Sequence, residues 1–230
     1  MKVTWLGHAA FEVELDGVNI LVDPFLSGNP KAAKSPDEVE PDLVLVTHGH
    51  GDHLGDAIDI CKRTGATLVA IYEIAVYAQS QGVENVEEMN IGGTIEVEGL
   101  EVVQVPALHS SEIVEDGEIV AGGTPTGYVV MGSDGSFYHA GDTGVFKDME
   151  IIGELYEPEV AMLPIGSRFT MGPKEAALAV ELIEPEVVIP MHYGTFPPIE
   201  VDPEDFVKEV EKRGVDVEVV VLEPGETWEG

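Results

Sequence analysis

Three histidines and an aspartate stand within six residues in the run His48-Gly49-His50-Gly51-Asp52-His53. Neutral imidazole and carboxylate are donors for zinc and for other first-row cations. The two small glycines let the backbone turn tightly enough for alternate side chains to converge. The bland alternative is a polar turn that gathered its histidines by accident. Against it stand three more donor residues: His109 ends VVQVPALH, Asp142 ends SFYHAGD, and His192 ends VVIPMH. Taken singly, His109 or His192 reads as a satisfied structural histidine. Taken with the cluster, four apolar runs each delivering a metal-ligand residue type at their ends are hard to explain by packing.

Those runs must be strands that end at one place. The first 25 residues read as a meander of KVTWLG, AFEVEL and VNILVD, with a hairpin turn at Asp16-Gly17. A loop over 27–41 precedes LVLVT (43–47), short and β-branched as expected of a strand buried on both faces. Helical patterns DAIDICKRTG and EIAVYAQSQG flank the strand-like ATLVAI. Strands return over 91–109 with a turn at Glu98-Gly99, and the polar, glycine-rich 110–127 reads as a long loop, a length that tends to be functional or mobile. YVVMG and SFYHAGD follow, then a helix near 147–156, VAMLPIG, a helix over 173–184, VVIPMH, a helix over 203–213 and a final strand VEVVVLE. In α/β sheets the carboxyl ends of strands are where sites are built. The pattern predicts an α/β chain of one domain, residues 1–230, with two sheets packed together and helices outside.

Composition narrows the partners. Forty-four acidic residues against 11 basic ones leave a formal charge of −33. Self-repulsion on that scale fits a salt-rich or halophilic setting, where counterions screen it, and it repels nucleic acid. A locally positive metal site could still admit a phosphate. Cys61, the single cysteine, excludes an internal disulfide and fits a reducing cytoplasm as a buried thiol. No run approaches 18 apolar residues and the N-terminus lacks an apolar signal core, so no membrane partner is expected. A small-molecule substrate is expected, and a homo-oligomer is compatible with the composition.

The run at 48–53 is intact His-x-His-x-Asp-His, and with His109, His-Ala-Gly-Asp-Thr around Asp142 and Pro-Met-His-Tyr-Gly around His192 the chain resembles the metallo-β-lactamase superfamily over nearly its whole length. Trp5-Leu6-Gly7-His8-Ala9, Asp23-Pro24-Phe25 and Met171-Gly172-Pro173 look more narrowly like metal-dependent hydrolases related to the ascorbate-6-phosphate lactonase group. The resemblance implies a four-layer αβ/βα sandwich of two mixed sheets. It further implies one divalent ion on His48, His50 and His109, another on Asp52, His53 and His192, and Asp142 between them. Zinc is the first expectation; manganese and iron suit the same donors. Such a pair generates hydroxide at neutral pH and polarises the electrophile, with Asp52 orienting the nucleophile. The implied reaction is cleavage of an ester, phosphoester, lactone or amide of a small anionic molecule.

Four residues carry a functional and a plain reading side by side. Asp23 either hydrogen-bonds a ligand imidazole or closes a strand. His8 and His139 either protonate a leaving group or serve the core. Arg168, just past VAMLPIG, either grips an anion or makes a surface ion pair. Two competing functions are a di-iron redox enzyme of the same fold, which normally brings a flavin domain that 230 residues cannot hold, and a non-catalytic metal scaffold, which has no need of a complete ligand set.

Overall fold

In the computed structural model, which describes residues 1–230, the chain opens as the meander its alternation dictates: β1 (Lys2–Gly7), β2 (Ala10–Leu15) and β3 (Val18–Val22), all antiparallel. Asp16 and Gly17 hold φ of 52° and 81°, the left-handed pair that suits the twist of a two-residue hairpin. β4 (Leu43–Leu45), α1 (Gly51–Leu54), α2 (Ala57–Thr64), β5 (Thr67–Ile71), α3 (Tyr72–Ser80) and β6 (Val86–Met89) then add three parallel strands with helical crossovers.

The second half repeats this plan. β7 (Thr94–Val97), β8 (Leu100–Pro106), β9 (Glu112–Glu115), β10 (Glu118–Ala121), β11 (Thr126–Gly132) and β12 (Gly135–His139) come first. After them run α4 (Met149–Tyr156), β13 (Val160–Pro164), α5 (Pro173–Ile183), β14 (Val187–Met191), α6 (Pro203–Arg213), β15 (Glu218–Val219) and β16 (Thr227–Glu229). One sheet has the order β16-β1-β2-β3-β4-β5-β6 and the other β15-β14-β13-β12-β11-β8-β7, each antiparallel on one side and parallel on the other.

Period-two alternation assigns each face. On β4, Leu43 and Leu45 point between the sheets with Phe11, Tyr128, Phe137 and Ile189, while Val44 joins Ile60, Leu68 and Ile74 under α2 and α3. On β8, Val102 faces the other sheet and Val103 lies with Ile152, Val180 and Phe206 under α4, α5 and α6. Each such side chain contributes about 1.5–3 kcal/mol by leaving water. The result is the expected four layers, helices outside two mixed sheets. No helix is long and apolar enough to cross a membrane.

Two details differ from the sequence reading. Residues 110–127 are not a structureless loop, because β9 and β10 pair as a hairpin around Asp116-Gly117, with φ of 50° and 82°. This is the same Asp-Gly signal as at Asp16-Gly17, masked by the acids that interrupt the alternation. VEVVVLE pairs only at Glu218 and Val219, and β16 returns instead to the edge of β1. α6 matches its reading: Asp202 caps the Glu204 amide at 3.0 Å, Pro203 is the first helical residue and Gly214 ends it with φ of 67°.

Candidate metal centre

Strands from both sheets end at the site. β4 continues into His48, β14 runs directly into His192, and short extensions of β8 and β12 carry His109 and Asp142. The halves are tied together here, because the carbonyl of His8, just past β1, accepts from the His192 amide at 2.9 Å and the Trp5 indole at 3.0 Å. His8, Asp23 and His192 hold φ of 58°, 45° and 58°. A left-handed backbone costs roughly 1–2 kcal/mol in such residues, and strain of this kind concentrates at functional sites. Of the two motif glycines, Gly49 is the constrained one: a Cβ there would stand 2.8 Å from Cγ1 of Ile113 on β9, whereas one at Gly51 would meet nothing.

The donors converge in two groups. His48, His50 and His109 offer nitrogens all within 4.8 Å of one another, and His8, Asp52, His53 and His192 offer a second set within the same limit. Asp142 lies between them. Its Oδ2 is 3.5 Å from His109 Nε2 and 3.1 Å from His192 Nε2, and its Oδ1 is 3.3 Å from His53 Nε2. Yet Asp142 Oδ1, His53 Nε2 and both ring nitrogens of His192 are buried without hydrogen-bond geometry to any partner. An unsatisfied buried polar group costs about 1–3 kcal/mol. Several such groups aimed at common points fit cations that would satisfy them.

Neighbouring bonds set which nitrogen each ring presents. Asp23, wholly buried, accepts from the Thr47 amide (2.8 Å) and hydroxyl (2.6 Å) and faces His53 Nδ1 at 2.8 Å. His53 therefore donates from Nδ1 and offers Nε2 inward. The Thr47 hydroxyl has spent its proton on Asp23, so at 3.0 Å it accepts from His48 Nδ1, leaving His48 Nε2 as the donor atom. Nε2 of His50 meets the Ser110 hydroxyl at 3.2 Å.

Electrostatics follow the same arrangement. Burial pushes Asp142 and Asp23 upward, but the surrounding histidines outweigh it and hold both below the usual carboxylate range. Burial pulls His53 downward, but the charges of Asp142 and Asp23 outweigh it and raise it above the usual imidazole range. His48 and His109 are lowered chiefly by burial and stay neutral, as ligands must.

The remaining candidates fall in different places. His8 is fully buried, with Nδ1 on the Thr195 hydroxyl at 2.9 Å and Nε2 on Asp52 Oδ2 at 3.1 Å, and burial takes it down to about 4. It touches no open space, so its expected part as a direct proton donor is corrected to that of a partner of Asp52. Asp52 itself is 36% exposed and is held strongly ionised, the bond from His8 and the charge of His53 outweighing its burial. His139 is also corrected: Nε2 donates to the Ala9 carbonyl at 2.9 Å and Nδ1 accepts from the Gly141 amide at 3.2 Å, so it braces the turn before Asp142 and has no nitrogen left for chemistry. Arg168 is exposed, its guanidinium 5.6 Å from the Phe169 ring centroid, and it forms no salt bridge.

The family model described as a β-lactamase superfamily domain matches residues 2–192, a span that contains every one of these donors. The chain belongs to the β-lactamase superfamily. A UPF0173 metal-dependent hydrolase of Methanopyrus kandleri is 84% identical over 100% of both chains. One from Methanosarcina mazei is 56% identical over 99% of this chain and 97% of its own. Igni18, described as a novel metallo hydrolase from Ignicoccus hospitalis, shares 44% identity and superposes with a TM-score of 0.88 over 100% of this chain and 98% of its own. At such identity over whole chains, this superfamily member is a metal-dependent hydrolase.

Asp23 apart, sequence reasoning missed the residues that orient the ligands. Thr47 carried a signal, being the one hydroxyl at the end of the apolar run LVLVT. Thr195 and Ser110 carried none, since only the folded chain brings them to His8 and His50. Ser111 is a further omission: its hydroxyl accepts from the Gly49 amide at 3.1 Å and donates to the Gly122 carbonyl at 2.7 Å, fastening the hairpin base to the ligand loop.

Proposed function

We propose that this hydrolase works with two divalent cations, zinc first among the candidates, and cleaves an ester, phosphoester or lactone bond of a small anionic molecule. His48, His50 and His109 would hold one ion, Asp52, His53 and His192 the other, and Asp142 would serve both. The observation that carries this reading is the position of Asp142, which approaches His109 of one donor group and His53 and His192 of the other while its Oδ1 has no hydrogen-bond partner. Cations so placed supply activated water near neutral pH and a Lewis acid for the electrophile.

The chain's own residues do the rest. Asp52, ionised and the most open of the carboxylates here, would orient the nucleophile, and the neutral His8 behind it would hold the carboxylate in position. Asp23 and Thr47 hold His53 and His48 in the tautomers that present Nε2. Arg168 supplies a guanidinium without a carboxylate partner in a chain with 44 acids, which suits it to an anionic substrate group. The acidic surface disfavours nucleic acid as that substrate. Metal analysis of the purified protein, with ester, phosphodiester and lactone turnover before and after chelation, tests the reading. Two equivalents of metal and chelator-sensitive turnover are expected; full turnover with no bound metal would overturn it.

A further inference from the structure

Two phenylalanines border the centre without belonging to it. The ring of His8 meets Phe25 and Phe196 edge to face, each at 5.7 Å between centroids, and those two rings lie 6.2 Å from each other. Phe25 follows Asp23 by two residues, and Phe196 follows Thr195, the hydroxyl partner of His8. Together they help to close His8 off from water completely, yet both remain only half-buried. Asp52, whose Oδ2 bonds His8 Nε2 at 3.1 Å, keeps 36% of its side chain exposed. A partly uncovered aromatic pair therefore stands one imidazole away from the open carboxylate of the centre. Aromatic side chains next to a few convergent polar groups are the usual lining of a small-molecule site.

We propose that Phe25 and Phe196 form an apolar subsite that holds an uncharged hydrocarbon group of the substrate, aryl before alkyl, next to the bond that is cleaved. The inference rests on the hydrolytic reading of the centre and narrows its substrate to a molecule with an apolar arm beside its anionic group. Half-exposed phenylalanine rings favour an aromatic partner, because edge-to-face and offset contacts add to plain burial. Covering even part of a phenyl group there corresponds to about tenfold in affinity.

The probes are methylphosphonate and phenylphosphonate, titrated calorimetrically into the zinc-loaded protein. Wild type is expected to bind phenylphosphonate at least about tenfold more tightly than methylphosphonate. Phe196→Ala and Phe25→Ala should remove most of that ratio while leaving methylphosphonate affinity within about twofold. Phe196→Leu, which keeps an apolar side chain over His8, should retain part of it and guards against loss of the fold. Equal affinities in wild type, a ratio untouched by any of the variants, or no binding of phenylphosphonate at millimolar concentration would each overturn the subsite. Loss of chelator-sensitive hydrolysis is a separate result, which sinks the hydrolytic reading whatever the phosphonate ratio.

Discussion

The Asp23 carboxylate lies 2.8 Å from His53 Nδ1, with both side chains wholly buried, and so turns the opposite nitrogen of that ring toward Asp142. A carboxylate behind a ligand imidazole fixes its tautomer and raises its basicity, an effect worth roughly ten- to a hundredfold in metal affinity. Asp23→Asn keeps the volume and an acceptor for the Thr47 amide but removes the charge. The variant should bind its metal ten- to a hundredfold more weakly in a chelator competition, with an unchanged circular dichroism spectrum. Wild-type affinity in that competition would mean that Asp23 serves the strand end alone.

Asp142 tests the number of ions. Because it approaches both donor groups, Asp142→Ala should lose at least one equivalent of metal by elemental analysis and nearly all turnover. A variant that kept two equivalents and the wild-type rate would show that the carboxylate does not join the groups. Visible absorbance of the same preparations reports whether the native ions include iron.

How far the sequence alone reached depended on how local each signal is. His48, His50, Asp52 and His53 sit in six consecutive residues, and the positions of His109, Asp142 and His192 follow from the strands before them, so the donors could be read from period and order. The roles of His8 and His139 could not. Both lie near strand ends, and only the fold shows that one ring bonds Asp52 and Thr195 while the other is consumed by the Ala9 carbonyl and Gly141 amide. The hairpin at 112–121 was hidden for a different reason: its acids face water on a small two-stranded sheet joined to neither large one, so only Ile113 and part of Val120 report burial.

Away from the centre, Asp16 links the β2–β3 turn of one sheet to the β11–β12 turn of the other. Its carboxylate accepts from the Ser133 amide (2.6 Å) and hydroxyl (3.0 Å) and from the Asp134 amide (2.9 Å), and the Ser133 amide above all holds it below the usual aspartate range. A carboxylate lowered in the folded state adds stability above its unfolded value, near pH 4, and that addition disappears as pH falls through the folded value. Asp16→Asn tolerates the left-handed turn while removing the charge. Its melting temperature should fall below wild type at neutral pH, and the gap should narrow as pH falls below about 4. A gap that persisted unchanged at pH 3 would assign the effect to the turn and not to the ionised carboxylate.

Stability as a whole should respond to salt. With a formal charge of −33 and mostly exposed ion pairs, each worth about 0–1 kcal/mol, repulsion among the acids dominates the surface term. The melting temperature should climb from dilute buffer to molar salt as screening shortens the range of that repulsion. A flat response in calorimetry would show that the acids are already compensated, by bound cations or by association of chains.

Arg168 offers the last test, because its plain alternative has a clear structural meaning. A surface ion pair would place a carboxylate within salt-bridge distance, and none is there; the guanidinium instead stands 5.6 Å from the centroid of Phe169. The loop that bears it is anchored beside the centre, since the Met171 amide donates to the carbonyl of Thr143, the residue after Asp142, at 3.0 Å. A guanidinium there can grip phosphate or carboxylate with two parallel hydrogen bonds, which a lysine does less well. Such a contact is present in ground and transition states alike, so Arg168→Ala should raise KM for anionic substrates more than it lowers kcat. Neutral esters should be turned over nearly as before, and metal content should stay the same. Arg168→Lys should recover part of the KM effect, because it restores the charge without the planar fork. Equal KM values for wild type and Arg168→Ala on a charged substrate would remove this residue from the site.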